Sequence, residues 1–195
     1  MRTAGASLAA AFVRVVDRAN ARLGRVVSWL VFAMVLIGAY NAAARYLGRF
    51  IGVNLSSNLY LELQWYLFSL VFLLGGAYAL REDAHVRVDV LYGRLGRQAR
   101  ATIDCIGVLL LLAPFCIFIL WVSWPSVRNS WVVREGSPDP GGLPRYPLKA
   151  VILVAFALLL VQACSELLKQ LRMRGRGSPN TGGQERAADR AEAGL

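Results

Sequence analysis

Four apolar runs, each close to the length of a membrane crossing, alternate with short stretches that hold most of the charge. They cover about 26–44, 61–80, 103–124 and 148–168. A helix needs about 20 mostly apolar residues, at 1.5 Å each, to cross a ~30 Å hydrocarbon core. Four transmembrane helices are therefore predicted. The second run stops abruptly at Arg81-Glu82-Asp83, and the cost of charge within lipid sets the membrane boundary there. Pro114, in the middle of the third run, predicts a lost backbone bond and a kink. A loop is expected from Pro125 to Lys149, with Ser137-Pro138-Asp139-Pro140-Gly141-Gly142-Leu143-Pro144 as its turn-rich part.

The ends read differently. Over residues 6–25, Leu8, Phe12, Val15, Val16, Ala19 and Leu23 share one helical face, and Arg14, Arg18, Arg22 and Arg25 share another. Residues 1–25 are thus expected to form a separate basic amphipathic helix lying in the interface, with its arginines on lipid headgroups. A short helix docked on the protein's own loops is the alternative. The first span, flanked by Trp29, Tyr40 and Tyr46, has an aromatic-belt pattern. Ala42-Ala43-Ala44 resembles a signal-peptide cleavage site, but the charged region ahead of the apolar run is too long for one and Asn41 sits within the cleavage region. The tail, 169–195, is rich in Gly, Arg, Ala and Glu and reads as disordered after about Arg176.

Composition agrees with membrane insertion. The 195 residues are 56% hydrophobic, with mean hydropathy +0.47 and net charge +10; a soluble domain averages about 45–50% apolar. The basic residues lie between membrane-length runs, so they read as topology determinants and headgroup contacts rather than a nucleic-acid surface. Sixteen of the 22 Lys and Arg residues fall in the N-terminal segment, the 81–100 loop and the tail; only Arg45, Arg49, Arg128, Arg134, Arg145 and Lys149 fall on the other side. The positive-inside rule puts both termini in the cytoplasm.

Candidate chemistry is sparse. Cys105, Cys116 and Cys164 lack metal-ligand spacing and read as buried apolar thiols. With His85 the single histidine, neither a zinc site nor a bis-histidine haem is expected, and no cofactor is assigned. No P-loop, GxSxG, HExxH or dinucleotide-binding turn occurs, so the chain is not read as an enzyme.

On the second span, Glu62, Trp65, Ser69, Phe72 and Gly76 fall at i, i+3, i+7, i+10 and i+14, one helical stripe. That stripe carries the helix's single acid and its small polar residue, so it is the candidate partner interface. Glu62 is either a functional carboxylate or an interfacial acid paired with Arg45 or Arg49. Gln162 and Ser165 are expected to hydrogen-bond between helices. Mid-depth polar groups are few, and no span shows the Gly/Pro-broken half-helix of a transport site. The chain alone is not expected to form a transport path. After the second span, His85, Arg87 and Asp89 alternate with Val86, Val88 and Val90, which suits an extended segment or a surface helix starting near Val88. His85 is read as part of a structural loop ahead of a pH switch.

The run Gly75, Gly76, Ala77, Arg81, Asp83, His85, Val86, Arg87, Val88, Asp89, Leu91 and Tyr92 strongly resembles the small membrane subunit of tripartite ATP-independent periplasmic (TRAP) transporters, the DctQ-like family. Gly142-Leu143-Pro144, Pro147, Gln162, the arginine-rich start and the four spans match too, over about residues 10–172. The resemblance implies a scaffold subunit in the bacterial inner membrane. Its implied partners are a large permease subunit that carries substrate and coupling ion, and a periplasmic binding protein that captures a solute such as a carboxylate. The cytoplasmic-loop motif Arg81, Asp83, His85, Arg87 and Asp89 belongs to that match. The rival readings are a membrane anchor of a redox complex and a small oligomeric transporter.

Overall fold

The computed structural model describes residues 2–53, 55, 57–82 and 96–175. These residues are all-helical apart from turns and short connections, and four helices are long and apolar enough to cross a membrane: Ser7–Ile51, Asn58–Arg81, Thr102–Val132 and Tyr146–Leu171. The all-α, four-span class expected from the sequence is the one observed. The tail after Gly175 and the Asp83, His85, Arg87 and Asp89 part of the loop motif lie outside the described residues.

The first element corrects the sequence reading. Helix α1, Arg2–Ile51, is one uninterrupted helix of 50 residues, so no break separates the basic amphipathic segment from the first span. At 1.5 Å per residue it is about 75 Å long, more than twice the hydrocarbon core. It contains no proline, and an interior glycine such as Gly24 or Gly38 weakens a helix by only ~1 kcal/mol relative to Ala. The helix ends at Gly52, whose φ of 71° is the left-handed conformation that glycine adopts without a Cβ clash.

The loop expected over 45–60 is correspondingly shorter. Helix α2, Asn58–Arg81, starts after Ser57, which is extended (φ −126°, ψ 146°) and accepts the Leu59 N–H on its Oγ at 3.3 Å. That is an N-cap, answering one of the unpaired donors of the first turn.

The third span is also longer than expected. Helix α3, Arg97–Ile106, runs through a π-helical stretch, Gly107–Leu112, into α4, Ala113–Val132. The Ala113 N–H donates to the Val108 carbonyl, five residues back. The wider turn sits immediately before Pro114, which has no N–H to give. Pro125, expected to open the loop, instead lies inside α4. Helix α5, Tyr146–Gly175, completes the bundle and extends beyond the expected end of the fourth span at 168.

Helix α5 is the hub, packing on α1, α2 and α4, while α1 also packs along α2. The buried apolar residues are mostly small: Ala44, Ala77, Cys116, Ala155 and Ala163. Large apolar side chains such as Trp29, Phe32, Phe68, Phe72, Leu111 and Trp121 are exposed on the outside. That distribution suits helices in lipid, where small residues let backbones approach and the apolar exterior meets acyl chains. Gly24 shows the close approach directly: a Cβ there would stand 2.5 Å from the Tyr78 ring. Of the cysteines read as buried, Cys116 is buried, Cys105 is half-buried and Cys164 is exposed, so that expectation holds for one of the three.

Candidate functional site

The polar side chains that the helices bury gather at two levels. The first is at the start of α2. Glu62 is only 4% exposed, although it lies in the second turn of a helix whose other faces are apolar. It is covered by the connection between α4 and α5, which folds over the end of the bundle.

That connection is shaped by its own hydrogen bonds. Helix α4 closes with Arg134 in the left-handed region (φ 48°), the Arg134 N–H on the Trp131 carbonyl at 3.4 Å and the Glu135 N–H on the Ser130 carbonyl at 3.0 Å. This is a Schellman closure with arginine in the position glycine usually takes. Further on, the Asp139 N–H donates to Ser137 Oγ at 3.2 Å, and the Gly142 N–H to the Asp139 carbonyl at 3.1 Å. Gly141, at φ 72°, completes the reversal.

The reversal delivers two donors to one carboxylate. Ser137 Oγ donates to Glu62 Oε1, and the Leu143 N–H donates to Glu62 Oε2 at 2.5 Å. One turn along α2, the Tyr66 hydroxyl donates to the Pro144 carbonyl. The Arg145 guanidinium sits 5.9 Å from the Trp65 ring centroid, within cation–π range. Gly142 fits because it lacks a Cβ: one there would lie 2.4 Å from Ser137 Cβ and 2.7 Å from Glu62 Oε1. With both oxygens occupied, Glu62 acts as a clasp for the loop. The pairing with Arg45 or Arg49 read from the sequence is not made.

The loop is tied to α5 as well. Glu135 Oε2 accepts Lys149 Nζ at 2.5 Å and Ser130 Oγ at 2.6 Å. Its carboxyl is held below the usual glutamate range, by the Lys149 hydrogen bond first and the Ser130 hydroxyl second. The Arg145 N–H also donates to the Glu135 carbonyl at 2.8 Å.

The second level joins α1 to α5. Asn20 and Gln162 are 2% and 0% exposed, and Asn20 Nδ2 donates to Gln162 Oε1 at 2.6 Å. Gln162 Nε2 in turn donates to Glu166 Oε1 at 2.9 Å and Asp17 Oδ1 at 3.2 Å. Lys169 Nζ closes the network, 2.9 Å from Asp17 Oδ2 and 2.7 Å from Glu166 Oε1. Gln162 thus makes the interhelical bond expected of it. Ser165 is fully buried, but its Oγ has no hydrogen-bond partner in the structure. Asp17, Asn20 and Lys169 were not singled out in the sequence. The available signal was their spacing, Asp17 with Asn20 and Gln162 with Glu166 and Lys169, each set on one helical face.

The stripe on α2 divides. Glu62 faces the chain's own loop, whereas Trp65 and Phe72 are exposed. Ser69 Oγ donates back to the Trp65 carbonyl at 2.8 Å. A Cβ at Gly76 would meet nothing within 4 Å, so among the described residues no helix uses Gly76 for close approach. Arg81 Nη1 pairs with Glu82 at 2.6 Å. Arg14, Arg18, Arg22 and Arg25 are all exposed on α1. Among the described residues, no group of three or more His, Cys, Asp or Glu side chains could hold a metal ion.

No curated protein matches the sequence. The family described as tripartite ATP-independent periplasmic transporters, DctQ component, matches residues 34–173. That region takes in the last third of α1, the start of α2 with Glu62, the α4–α5 loop and the helix carrying Gln162, well over half the chain. On that match, this multi-pass membrane protein belongs to the DctQ component family of TRAP transporters.

Proposed function

We propose that the chain is the scaffold subunit of a TRAP-type secondary importer in a bacterial inner membrane. A large permease subunit carries the solute, a carboxylate, and a periplasmic binding protein delivers it. The observation that carries this reading is the use made of the buried polar groups. Glu62 is spent on the α4–α5 loop, and Asn20, Asp17, Gln162, Glu166 and Lys169 are spent on one another. Polar groups that line a solute path must instead be free to replace a hydration shell. Here they fasten helices.

In this reading both termini are cytoplasmic, following the basic-residue bias, and the 133–145 loop is periplasmic. The exposed arginines of α1 rest on anionic headgroups, at about 1 kcal/mol for each near the surface. Impermeant thiol reagents should then label Asp139→Cys from outside intact cells and leave Gly177→Cys untouched. The reverse pattern would contradict the orientation.

Exposed Trp65 and Phe72, with half-buried Gly76 on the same α2 stripe, are the surface offered to the permease. Because Gly76 closely approaches no other helix among the described residues, Gly76→Leu should leave the bundle intact while lowering recovery of the permease on co-purification. Leu73→Ala should have the smaller effect. Equal recovery in both variants would remove this face from the interface.

A further inference from the structure

Arg45 and Arg49 are left over by the clasp. The carboxylate that could have met them is held by Ser137 and Leu143, and no ion pair to either arginine is seen among the described residues. Both are exposed and stand one helical turn apart, with Cβ atoms about 5–6 Å from each other. Like charges at that spacing repel one another, and an anion between them removes the repulsion.

The backbone makes a receptacle between them. After Ile51 the chain reverses at Gly52 and turns back on α1, so closely that a Cβ at Gly48 would lie 2.5 Å from the Val53 carbonyl oxygen. The reversal borders an open surface cleft of about 300 Å³ lined by Ala44, Arg45, Gly48, Arg49, Gly52 and Val53. The glycines keep its floor free of side chains. Its depth is set by the sequence: Arg45 is the first charge after the apolar run that starts at Val26, which places it at the level of lipid headgroups. Beside the cleft, Leu47, Phe50 and Ile51 are exposed, Phe50 at 90%, an apolar flank suited to an acyl chain.

We propose that this cleft binds the phosphate of a phospholipid headgroup, with the Arg45 and Arg49 guanidinium forks on its oxygens and the acyl chains along Leu47, Phe50 and Ile51. Planar guanidinium forks pair with phosphate oxygens two at a time, and the headgroup level of the cleft with its apolar flank favours a lipid phosphate over a free anion. The inference rests on membrane insertion and is independent of the transport role.

The test titrates the purified full-length chain with short-chain phosphatidylglycerol in a neutral detergent, with bound lipid counted by native mass spectrometry. One lipid should be retained above the background of weak adducts. In R45Q/R49Q its affinity should fall about tenfold or more. Arg45→Lys with Arg49→Lys should bind between the two, since charge remains and the fork is lost. Arg128→Gln, at an exposed arginine of α4 that does not line the cleft, should retain the lipid fully. Circular dichroism and gel filtration of each variant establish that the helices are intact; should R45Q/R49Q misfold, the lysine pair and the two single Gln variants carry the comparison. Unchanged retention in the folded variants overturns the proposal. Displacement of the lipid by millimolar inorganic phosphate overturns the lipid assignment in favour of a free anion. Loss of permease recovery in R45Q/R49Q with lipid retention unchanged overturns it in favour of an acidic segment of the partner.

Discussion

The carboxylate of Glu62 and the missing side chain of Gly142 occupy the same corner of the molecule: a Cβ on Gly142 would stand 2.7 Å from Glu62 Oε1. The contact joins the start of α2 to a loop some 80 positions later, and it decides how the α4–α5 connection lies across the bundle. Gly142→Ala should therefore lower stability by about 1–3 kcal/mol, through overpacking against Ser137 and the carboxylate. Gly136→Ala, where an added Cβ meets nothing within 4 Å, should stay within about 0.5 kcal/mol of the parent. Thermal unfolding in detergent compares the two; equal midpoints would show that the loop does not need the glycine.

The Asn20–Gln162 bond is expected to couple α1 to α5. In a double-mutant cycle with Asn20→Ala and Gln162→Ala, the coupling should be favourable by about 0.6–1.7 kcal/mol, the range for side-chain hydrogen bonds between membrane helices. Gln162→Ala alone should cost more than the coupling, because it also removes the donor to Asp17 and Glu166 and leaves buried Asn20 without its acceptor. The cycle is read from denaturant unfolding in mixed micelles. Zero coupling would mean that the two amides are adjacent without holding the helices together.

The Glu135–Lys149 pair carries a pH dependence of fixed sign. The folded-state pKa of Glu135 lies below the unfolded value of about 4.3. Its contribution to stability is therefore fully present above that value and is lost as pH falls through the folded pKa. Glu135→Gln should remove this component, so the stability gap between parent and variant should be widest above about pH 5 and should close in acid. Unfolding midpoints measured from pH 3 to pH 7 check it. A gap that widens on acidification would contradict the assignment.

How much of this was legible in the sequence differs element by element. The four spans were, because apolar runs of membrane length have few other structural solutions. Where each helix stops was not. Pro125 stood at the start of the expected loop, yet α4 continues to Val132, and an apolar environment favours keeping every remaining helical bond. The amphipathic segment and first span were read as two elements because their compositions differ, but nothing in Arg2–Ile51 forces a break, and Asp17 and Asn20 are drawn onto α5. Glu62 was recognised as unusual without its partners, which lie 75 and 81 residues away in the sequence. Contacts at such separations leave no periodic trace in one chain. Gln162 was legible as an interhelical donor because a carboxamide within an apolar run has to find a partner.

The central claim is that this chain frames a transporter without forming the path. Reconstitution into liposomes tests it most directly, with uptake of labelled carboxylates followed under an imposed ion gradient. The purified chain alone should give no uptake above empty liposomes. Adding the permease subunit and its binding protein should give uptake, and leaving this chain out of that mixture should abolish it. Gradient-driven, substrate-specific uptake by the chain alone would contradict the account.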